Sequence, residues 1–296
     1  MRILITGGTG LIGSALIPRL LAEQHQITAL VRNPQRAKQI LPPEVQFISG
    51  LNSLPNLDQF DGVINLAGEP IFAKRWSAER KRALYNSRIS LTNQISQLIN
   101  QGQNPPQFLI SGSACGYYGD QGEKELDENA PLGRNFAAQL AQQWEMAALN
   151  AKTRVCLIRT GLVLSKQGGA LAKMLPIYKS GLAGKIGNGQ QFWPWIALQD
   201  MLNGILFLIN KPNCQGVFNF AAPNPERNQK FNDLLKTFLK RPALFAVPAC
   251  ALRLLLGERA CLLLDSQNVR PAHLLQQGFQ FEFSDLADFL VQELEG

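Results

Sequence analysis

Histidine is scarce in this chain of 296 residues, where only His25 and His273 occur. Neither lies beside a motif that suggests a site, so both are predicted to be surface residues. With so few imidazoles, the sequence argues against a Ser-His-Asp hydrolase and against a histidine-rich metal site. No bound metal is therefore expected.

Cysteine pairs and long apolar runs are also missing. The five cysteines form no CxxC pair and show no metal-ligand spacing, which favours a reducing, cytoplasmic location. No apolar run approaches the roughly 20 residues of a membrane span, and the N-terminus leads straight into a strand, so neither a membrane anchor nor a signal peptide is expected. The formal net charge is +7, but the basic residues are scattered, so no nucleic-acid partner is expected.

A glycine-rich turn stands at the start of the chain. Residues 2–5 form a short apolar run typical of a buried parallel strand, TGGTGLIG follows at residues 6–13, and apolar residues then recur at helical spacing. In such a strand–turn–helix unit, Gly7 permits the tight turn, Gly10 lets the backbone approach a diphosphate, and Gly13 allows close packing of helix on strand. The amides at the helix start would hold the phosphate charge, so the motif predicts a dinucleotide site.

A second strand over residues 27–31 ends in Arg32, about 20 residues beyond the glycines. An Asp or Glu at this place would bind the ribose hydroxyls of NAD, whereas an arginine can pair with a 2′-phosphate. The sequence therefore predicts NADP(H) rather than NAD(H) as the cofactor. For Arg32 taken alone, a solvated surface charge is the alternative.

Strands and helices alternate over residues 1–165, and six such units predict an α/β fold with a doubly wound parallel sheet. Residues 166–296 break this rhythm and are predicted to form a smaller C-terminal cap, with a strand near 217–220 returning to the sheet. The predicted strands are 2–5, 27–31, 45–48, 62–66, 107–110 and 155–158, and the long helices are 77–101 and 135–150.

Open sheets of this kind bind ligands in the crevice at the carboxyl ends of their strands. Small residues follow the fourth strand, opposite the glycine turn, and favour cofactor contact there. The residues predicted to contact the cofactor are Gly7, Thr9, Gly10, Leu11, Ile12, Gly13, Arg32, Leu66, Ala67, Gly68, Glu69, Arg75, Ser111 and Leu162.

Several longer stretches match a known family: TGGTGLIG (6–13), INLAGEPI (64–71), KRW (74–76), SGSACGYYG (111–119), RTGLVL (159–164), FWPWI (192–196), NFAAPNP (219–225), KRPALFAVP (240–248) and LLLGE (254–258). With them the chain resembles the extended short-chain dehydrogenase/reductase superfamily, and within it the uncharacterised epimerase/dehydratase-like branch that has its own C-terminal domain. The resemblance spans nearly the whole chain. It implies a Rossmann-type NADP-binding fold with a substrate cleft between the nucleotide domain and the cap.

One departure from the family pattern affects the expected chemistry. Family members of known activity carry a Tyr-x-x-x-Lys pair on the helix after the fifth strand, with a serine nearby. Ser113 stands at the serine position, but registering the helix on Glu145 puts Ala137 at the tyrosine position and Ala141 at the lysine position. Neither alanine can transfer a proton, so the usual apparatus for hydride transfer is absent.

Other side chains are candidates for the missing roles. Tyr117 or Tyr118 would supply a phenol beside Ser113, with Arg75 or Lys81 as the cation that lowers its pKa; the alternative is that both tyrosines only pack the loop. An aromatic pocket with one or two cations would suit a flat or anionic substrate, and ordinary packing of the cap is its alternative. The residues predicted for that pocket are Arg75, Trp76, Phe192, Trp193 and Trp195.

The leading hypothesis for function is an NADP(H)-dependent oxidoreductase or epimerase acting on a small carbonyl or sugar-like substrate. A non-catalytic NADP(H)-binding sensor or regulatory protein is the second, because of Ala137 and Ala141. A hydrolase that uses Ser113 is a distant third, since nucleophile-elbow spacing and a suitable histidine are missing. The apolar faces of the helices at 77–101 and 135–150 could pair in a homodimer or simply cover the sheet.

Overall fold

The computed structural model describes residues 1–295; residue 296, the last of the predicted C-terminal region, lies outside them. The strands are β1 Arg2–Thr6, β2 Gln26–Leu30, β3 Gln46–Ile48, β4 Gly62–Asn65, β5 Phe108–Ala114, β6 Glu125–Leu126, β7 Arg154–Thr160, β8 Leu162–Ser165, β9 Phe192–Trp193, β10 Trp195–Ala197, β11 Gly216–Phe220, β12 Glu226–Arg227 and β13 Asn268–Val269. The α-helices are α1 Leu11–Ala22, α2 Pro34–Ala37, α3 Ala78–Tyr85, α4 Leu91–Gln101, α5 Phe136–Leu149, α6 Gly169–Lys179, α7 Leu198–Asn210, α8 Asn228–Leu239, α9 Ala249–Leu256, α10 Cys261–Leu264, α11 Ala272–Gln276 and α12 Leu286–Glu295.

Seven strands form the central sheet, in the order β11-β7-β5-β4-β1-β2-β3. All six neighbouring pairs are parallel. The strand order reverses between β1 and β4, which is the place where open parallel sheets form a ligand crevice. The central strands are nearly continuous in buried apolar residues, as strands covered on both faces must be.

Helices cover both faces of this sheet. On one face, α1 and α7 bury Leu16, Ile205 and their neighbours against β1, β5 and β7. On the other face, α4 and α5 bury Ile95, Ala148 and their neighbours against β4 and β5. The predicted doubly wound α/β fold is therefore confirmed, and β11 joins the edge of the sheet beside β7.

Three elements differ from the sequence-based expectation. The strand predicted at 107–110 continues to Ala114, because residues 111–114 also pair with β7. The helix predicted over 77–101 contains one π-helical turn, Asn86–Ser90, between α3 and α4. The FWPWI stretch at 192–196, where no strand was predicted, contributes to two short strands, of which β9 pairs with β12 and β10 pairs with β8.

The C-terminal third has an apolar core of its own. It buries Trp193, Trp195, Phe231 and Phe289 between α6, α8 and α12. The division into a nucleotide-binding part and a cap remains a prediction. Within residues 1–295, no helix combines the length and the apolar character needed to cross a bilayer.

Candidate functional site

The glycine turn between β1 and α1 is closed by backbone contacts that leave no room for side chains. Gly7 has a φ of +72°, and a Cβ there would lie 2.6 Å from the carbonyl carbon of Leu66. A Cβ on Gly13 would lie 2.4 Å from the carbonyl oxygen of Gly7. Both positions therefore require glycine, one for its backbone conformation and one for the close approach of α1 to the turn.

The first turn of α1 carries no acidic side chain. The N-cap residue of this helix is Gly10, which offers no side-chain acceptor. Thr9 and Gly10 are exposed, and Leu11 and Ile12 are half-buried. Because the first amides of a helix carry partial positive charge, this end fits a diphosphate group, as the motif predicted.

Buried polar groups tie the carboxyl ends of β1, β4 and β5 together. The Thr6 hydroxyl donates to Asn65 Oδ1 at 2.7 Å and accepts the amide of Ala67 at 3.1 Å. Asn65 Nδ2 donates in turn to Ser111 Oγ at 3.2 Å. Ser111 is fully buried. Ser111 therefore helps to hold the crevice wall together, and its predicted contact with the cofactor stays a prediction.

Arginines converge on the segment that follows β4. Glu69 accepts from Arg32 Nη1 at 2.8 Å and from Arg80 Nη1 at 3.1 Å. These hydrogen bonds, with Arg32 contributing most, hold the pKa of the Glu69 carboxyl below its ordinary value although burial opposes them. Arg32 and Glu69 were named from the sequence as separate contacts, and the structure brings them together.

Arg80 and Arg88 were not predicted from the sequence. Arg88 lies on the π-helical turn, donates from Nη2 to the carbonyl oxygen of Glu69 at 3.0 Å, and packs against Gly68. Burial, followed by the nearby charge of Arg80, lowers the pKa of Arg88 to about 10. Their eight-residue spacing puts both on one face of the long helix, which is the signal that could have identified them.

A buried ion pair lies behind Ser113 at the end of β5. The Ser113 hydroxyl donates to Glu145 Oε1 at 2.6 Å. Arg159 donates hydrogen bonds to both oxygens of the same carboxylate, from Nε at 2.8 Å and from Nη2 at 2.9 Å. Burial by itself would lower the pKa of Arg159, but the hydrogen bonds with Glu145 outweigh it and raise that pKa above its ordinary value. Arg159 therefore stays charged.

Tyr118 belongs to the same network and is fully buried. Its hydroxyl accepts from Arg159 Nη1 at 2.9 Å and donates to Asn219 Oδ1 at 2.7 Å. Burial raises the pKa of the Tyr118 phenol above its ordinary value despite the nearby Arg159. The Tyr118 hydroxyl is directed into the interior, which argues against its predicted acid–base role, and that role stays a prediction.

Tyr117 is half-buried, and its ring lies 3.5 Å from Arg159 Cζ. The cation beside the two tyrosines is therefore Arg159, not the predicted Arg75 or Lys81. Ala137 and Ala141 lie on the buried face of α5, about two turns and one turn before Glu145, respectively. A charged residue on this otherwise apolar face and an arginine inside a buried strand are the sequence signals for the Glu145–Arg159 pair.

Glu128 joins this network to the C-terminal third. Its Oε1 accepts the amides of Asn219 at 2.9 Å and of His273 at 3.2 Å. The ring Nδ1 of His273 lies 2.8 Å from the carbonyl oxygen of Val217. His273 is thus a part-buried structural residue, which corrects its prediction as a surface histidine.

The tryptophans predicted to line a substrate pocket are packed in apolar clusters. Trp193 and Trp195 donate their indole N–H groups to the carbonyl oxygens of Leu263 and Asn224, and Trp76 donates to that of Ile71. The three rings are at most 7% exposed. These indoles form structural cores, which is the packing alternative considered for them.

Two of the predicted substrate residues remain accessible. Arg75 is exposed and lies next to Gly257, and Phe192 is half-buried beneath the guanidinium of Arg227. Leu162, predicted to contact the cofactor, is half-buried and pairs with Trp195 in the short β8–β10 sheet. The structure therefore does not bring the predicted aromatic residues together around one cleft.

The C-terminal third contacts the segment between β4 and α3 through polar bonds. Lys81 Nζ lies 2.7 Å from Glu258 Oε2, and Arg259 Nη1 donates to the carbonyl oxygen of Phe72 at 2.9 Å. Both residues of the ion pair are partly exposed to solvent. Residues 257–259 therefore lie against the segment between β4 and α3, which also carries Gly68 and Glu69.

Asp265 gives the first testable prediction. Burial, with Asp120 adding to it, raises the pKa of Asp265 from 3.8 to about 6. A carboxyl whose pKa is higher in the folded state favours folding when protonated, so this stabilisation is complete below pH 4 and is lost as the pH rises through 6. Asp265→Asn is expected to stabilise the protein at pH 7.5 by about 1 kcal/mol, after discounting for solvent screening, and to change nothing at pH 4.

Urea unfolding at both pH values measures this effect. The amide oxygen introduced by the substitution would still accept from Asn135 Nδ2, which lies 2.7 Å from the Asp265 carboxylate. Asp233→Asn, an exposed change on α8, is the matched control. An Asp265→Asn protein with the same pH dependence as the wild type would contradict the prediction.

Comparison with known proteins gives consistent matches along the chain. The model of the NAD dependent epimerase/dehydratase family matches residues 3–221, and a domain of unknown function, DUF1731, matches residues 247–293. An Arabidopsis thaliana protein described as a chloroplastic homologue of epimerase family protein SDR39U1 is 39% identical over 298 residues, covering 98% of this chain and 86% of that protein.

Two solved structures are also similar. The crystal structure of human epimerase family protein SDR39U1 (isoform 2) with NADPH superposes with a TM-score of 0.89 at 32% identity and covers all of both chains. The nucleoside-diphosphate sugar epimerase from Corynebacterium glutamicum has a TM-score of 0.80 at 30% identity, covering 99% of this chain and 58% of that one.

Proposed function

This chain belongs to the NAD dependent epimerase/dehydratase family, and we propose that it is an NADP(H)-dependent oxidoreductase or epimerase acting on a small hydroxyl-bearing, sugar-like substrate. The observation that carries the proposal is the buried Ser113–Glu145–Arg159 network at the end of β5. Glu145 lies on α5, where Ala137 and Ala141 stand at the positions expected for the family's tyrosine and lysine. The human relative crystallised with NADPH supports the choice of cofactor.

The residues around the crevice fit this cofactor. The glycine turn admits no Cβ, so the backbone can approach a diphosphate, and the start of α1 offers amides without a competing carboxylate. The arginines around Glu69 suit the additional phosphate of NADP(H). When bound, NADP(H) supplies the acceptor or donor of a hydride.

Ser113 defines what the substrate must offer. Its only proton is donated to Glu145, so its remaining lone pairs accept a hydrogen bond and cannot polarise a carbonyl oxygen. The reacting group that fits is therefore a hydroxyl. When a substrate hydroxyl gives its proton to Ser113 Oγ, the serine passes its own proton to Glu145, and no tyrosine is needed.

Arg159 acts as a positioning residue in this proposal. Its two hydrogen bonds hold the Glu145 carboxylate where the Ser113 hydroxyl can donate to it. The Arg159 guanidinium remains charged while the proton is transferred. In the reverse direction, protonated Glu145 would donate to Ser113 and turn the serine into a donor toward a carbonyl. Oxidation of a hydroxyl with NADP⁺ releases one proton, so higher pH favours oxidation of the substrate and lower pH favours reduction.

Ser113→Ala and Glu145→Gln test the proposed function. Oxidation of a panel of small sugars and polyols with NADP⁺ is followed by NADPH fluorescence, together with NADPH affinity by calorimetry. We expect both variants to lower kcat by about 100-fold or more with unchanged cofactor affinity, because a proton relay is lost. The Glu145→Gln rate should be low at every pH at which the wild type is active.

Ser180→Ala, on the exposed end of α6, is the matched control and should behave as the wild type. The proposal fails if Ser113→Ala retains the wild-type rate with a substrate that the wild type oxidises. It also fails if folded Glu145→Gln protein keeps the wild-type rate, since Glu145 would then have only a structural role.

A cofactor-responsive regulatory protein is the second candidate. Ala137 and Ala141 support it, as does Tyr118, whose phenol is locked into the core. Tyr85, Met146 and Leu149 leave 40–59% of their surface exposed on neighbouring helices, which supports the predicted pairing with a second copy. Equal association with a partner in the presence of NADPH and of NADP⁺ would rule out the regulatory hypothesis.

A further inference from the structure

The cluster after β4 contains more positive charge than its carboxylate can neutralise. Arg32 and Arg80 each bind one oxygen of Glu69, and Arg88 binds the backbone oxygen of the same residue. Three guanidinium groups therefore share one side-chain anion. Such an excess of fixed cations favours binding of a further anion at this place.

The two arginines that bind the Glu69 carboxylate differ in how freely their side chains can move. The Arg32 side chain is 92% exposed and reaches Glu69 across open solvent. The Arg80 side chain is only 10% exposed and is anchored by a 2.6 Å bond from Nη2 to the carbonyl oxygen of Pro70. Arg32 can therefore turn away from Glu69 at little cost, whereas Arg80 is fixed in position.

Arg80 also has an unused donor. Its Nε is buried and has no hydrogen-bond partner among the described residues. A buried N–H without an acceptor is unfavourable, and an arginine presents Nε and Nη together to a planar or tetrahedral oxyanion. The observed contacts with Glu69 and Pro70 thus use the two Nη groups of Arg80 and leave its Nε–H without an acceptor among the described residues.

From these observations we propose that Glu69 occupies the place of an anion in the free protein, and that Arg80 is a second ligand of the 2′-phosphate alongside Arg32. The inference rests on the proposed use of NADP(H) and adds the residues that set the preference for it. When the 2′-phosphate binds, Arg32 exchanges Glu69 for the phosphate, and the buried Nε–H of Arg80 gains an acceptor.

Glu69 could instead bind the ribose hydroxyls of NAD(H), as acidic residues do in many dinucleotide sites. The observed pairing disfavours this role, because Oε1 already accepts from Arg32 and Oε2 already accepts from Arg80. The amide of Glu69 is also fixed by the Ser87 hydroxyl at 3.0 Å, so the π-helical turn holds the residue against the arginines.

Calorimetric titration of wild-type, Glu69→Gln and Arg80→Met proteins with NADPH and with NADH tests the inference. Glu69→Gln is expected to tighten NADPH binding by about 2- to 5-fold, because a competing surface ion pair is removed, and to leave NADH unchanged. Arg80→Met is expected to weaken NADPH by roughly 10- to 100-fold and NADH by less than about 2-fold. Arg82→Ala, on the exposed face of α3, is the matched control.

Each alternative has a distinct result. Equal weakening of NADPH and NADH in Glu69→Gln would show a ribose contact and overturn the inference, as would equal weakening in Arg80→Met. If thermal unfolding shows that Arg80→Met does not fold, Arg80→Lys replaces it, and NADPH preference equal to the wild type then overturns the inference. Wild-type protein that takes up neither cofactor defeats the proposed function itself, whereas NADPH binding without discrimination by the variants defeats only this inference.

Discussion

Arg159→Met is expected to destabilise the protein by about 3–5 kcal/mol, the largest effect on folding predicted from this structure. The substitution leaves the buried Glu145 carboxylate with Ser113 as its one remaining side-chain donor. It also removes the donors to Tyr118 and to the carbonyl oxygen of Glu128. An uncompensated charge in the core is far more costly than the loss of one surface pair.

The free energy of unfolding in urea measures this effect. The control is the double variant Arg159→Met, Glu145→Met, which removes both charges together. Replacement of a whole buried ion pair by apolar groups is often close to neutral, so the double variant should be more stable than Arg159→Met alone. A cost below about 1 kcal/mol for Arg159→Met would contradict the prediction and would mean that water reaches Glu145.

Gly7→Ala is expected to abolish measurable NADPH binding and to lower stability as well. A φ of +72° costs an L-residue about 1–2 kcal/mol. The new methyl group would also lie 2.6–2.8 Å from the backbone of Leu66 and Ala67. Because none of these atoms belongs to a flexible side chain, the glycine turn must move away from β4. This movement would disrupt the predicted diphosphate site at the start of α1.

Gly50→Ala provides the matched control for Gly7→Ala. Gly50 is exposed in the loop after β3, has no positive φ, and a Cβ there would meet no atom within 4 Å. NADPH fluorescence titration and thermal unfolding of the two variants give the comparison. We expect Gly50→Ala to match the wild type within about 0.5 kcal/mol. Wild-type NADPH affinity in folded Gly7→Ala protein would show that the diphosphate binds elsewhere than at the glycine turn.

The sequence was most informative where structure depends on near neighbours. The glycine turn needs only residues 6–13, and the alternation of strands and helices follows from short-range apolar periods, so the fold class was predictable. The π-helical turn was not, because one extra residue in a helical turn leaves the apolar period of residues 77–101 almost unchanged.

The candidate site was harder to predict because its contacts join distant segments. Glu145 lies 32 residues from Ser113, and Arg80 meets Glu69 only after the chain has folded back from α3. Aromatic side chains were misleading for a different reason. Indoles suit a ligand pocket and a buried core equally well, and the core position of Trp193 and Trp195 depends on acceptors at Leu263 and Asn224.

Ser113, Arg159 and Asn219 occupy matching positions on three adjacent strands, β5, β7 and β11. Their side chains share one chain of bonds, so a substitution that adapts one of them to a new substrate also disturbs the pairing of the strand ends. Under the proposed function, we therefore expect changes in substrate range to arise in the segments around 71–76 and 257–267 and not at these strand ends.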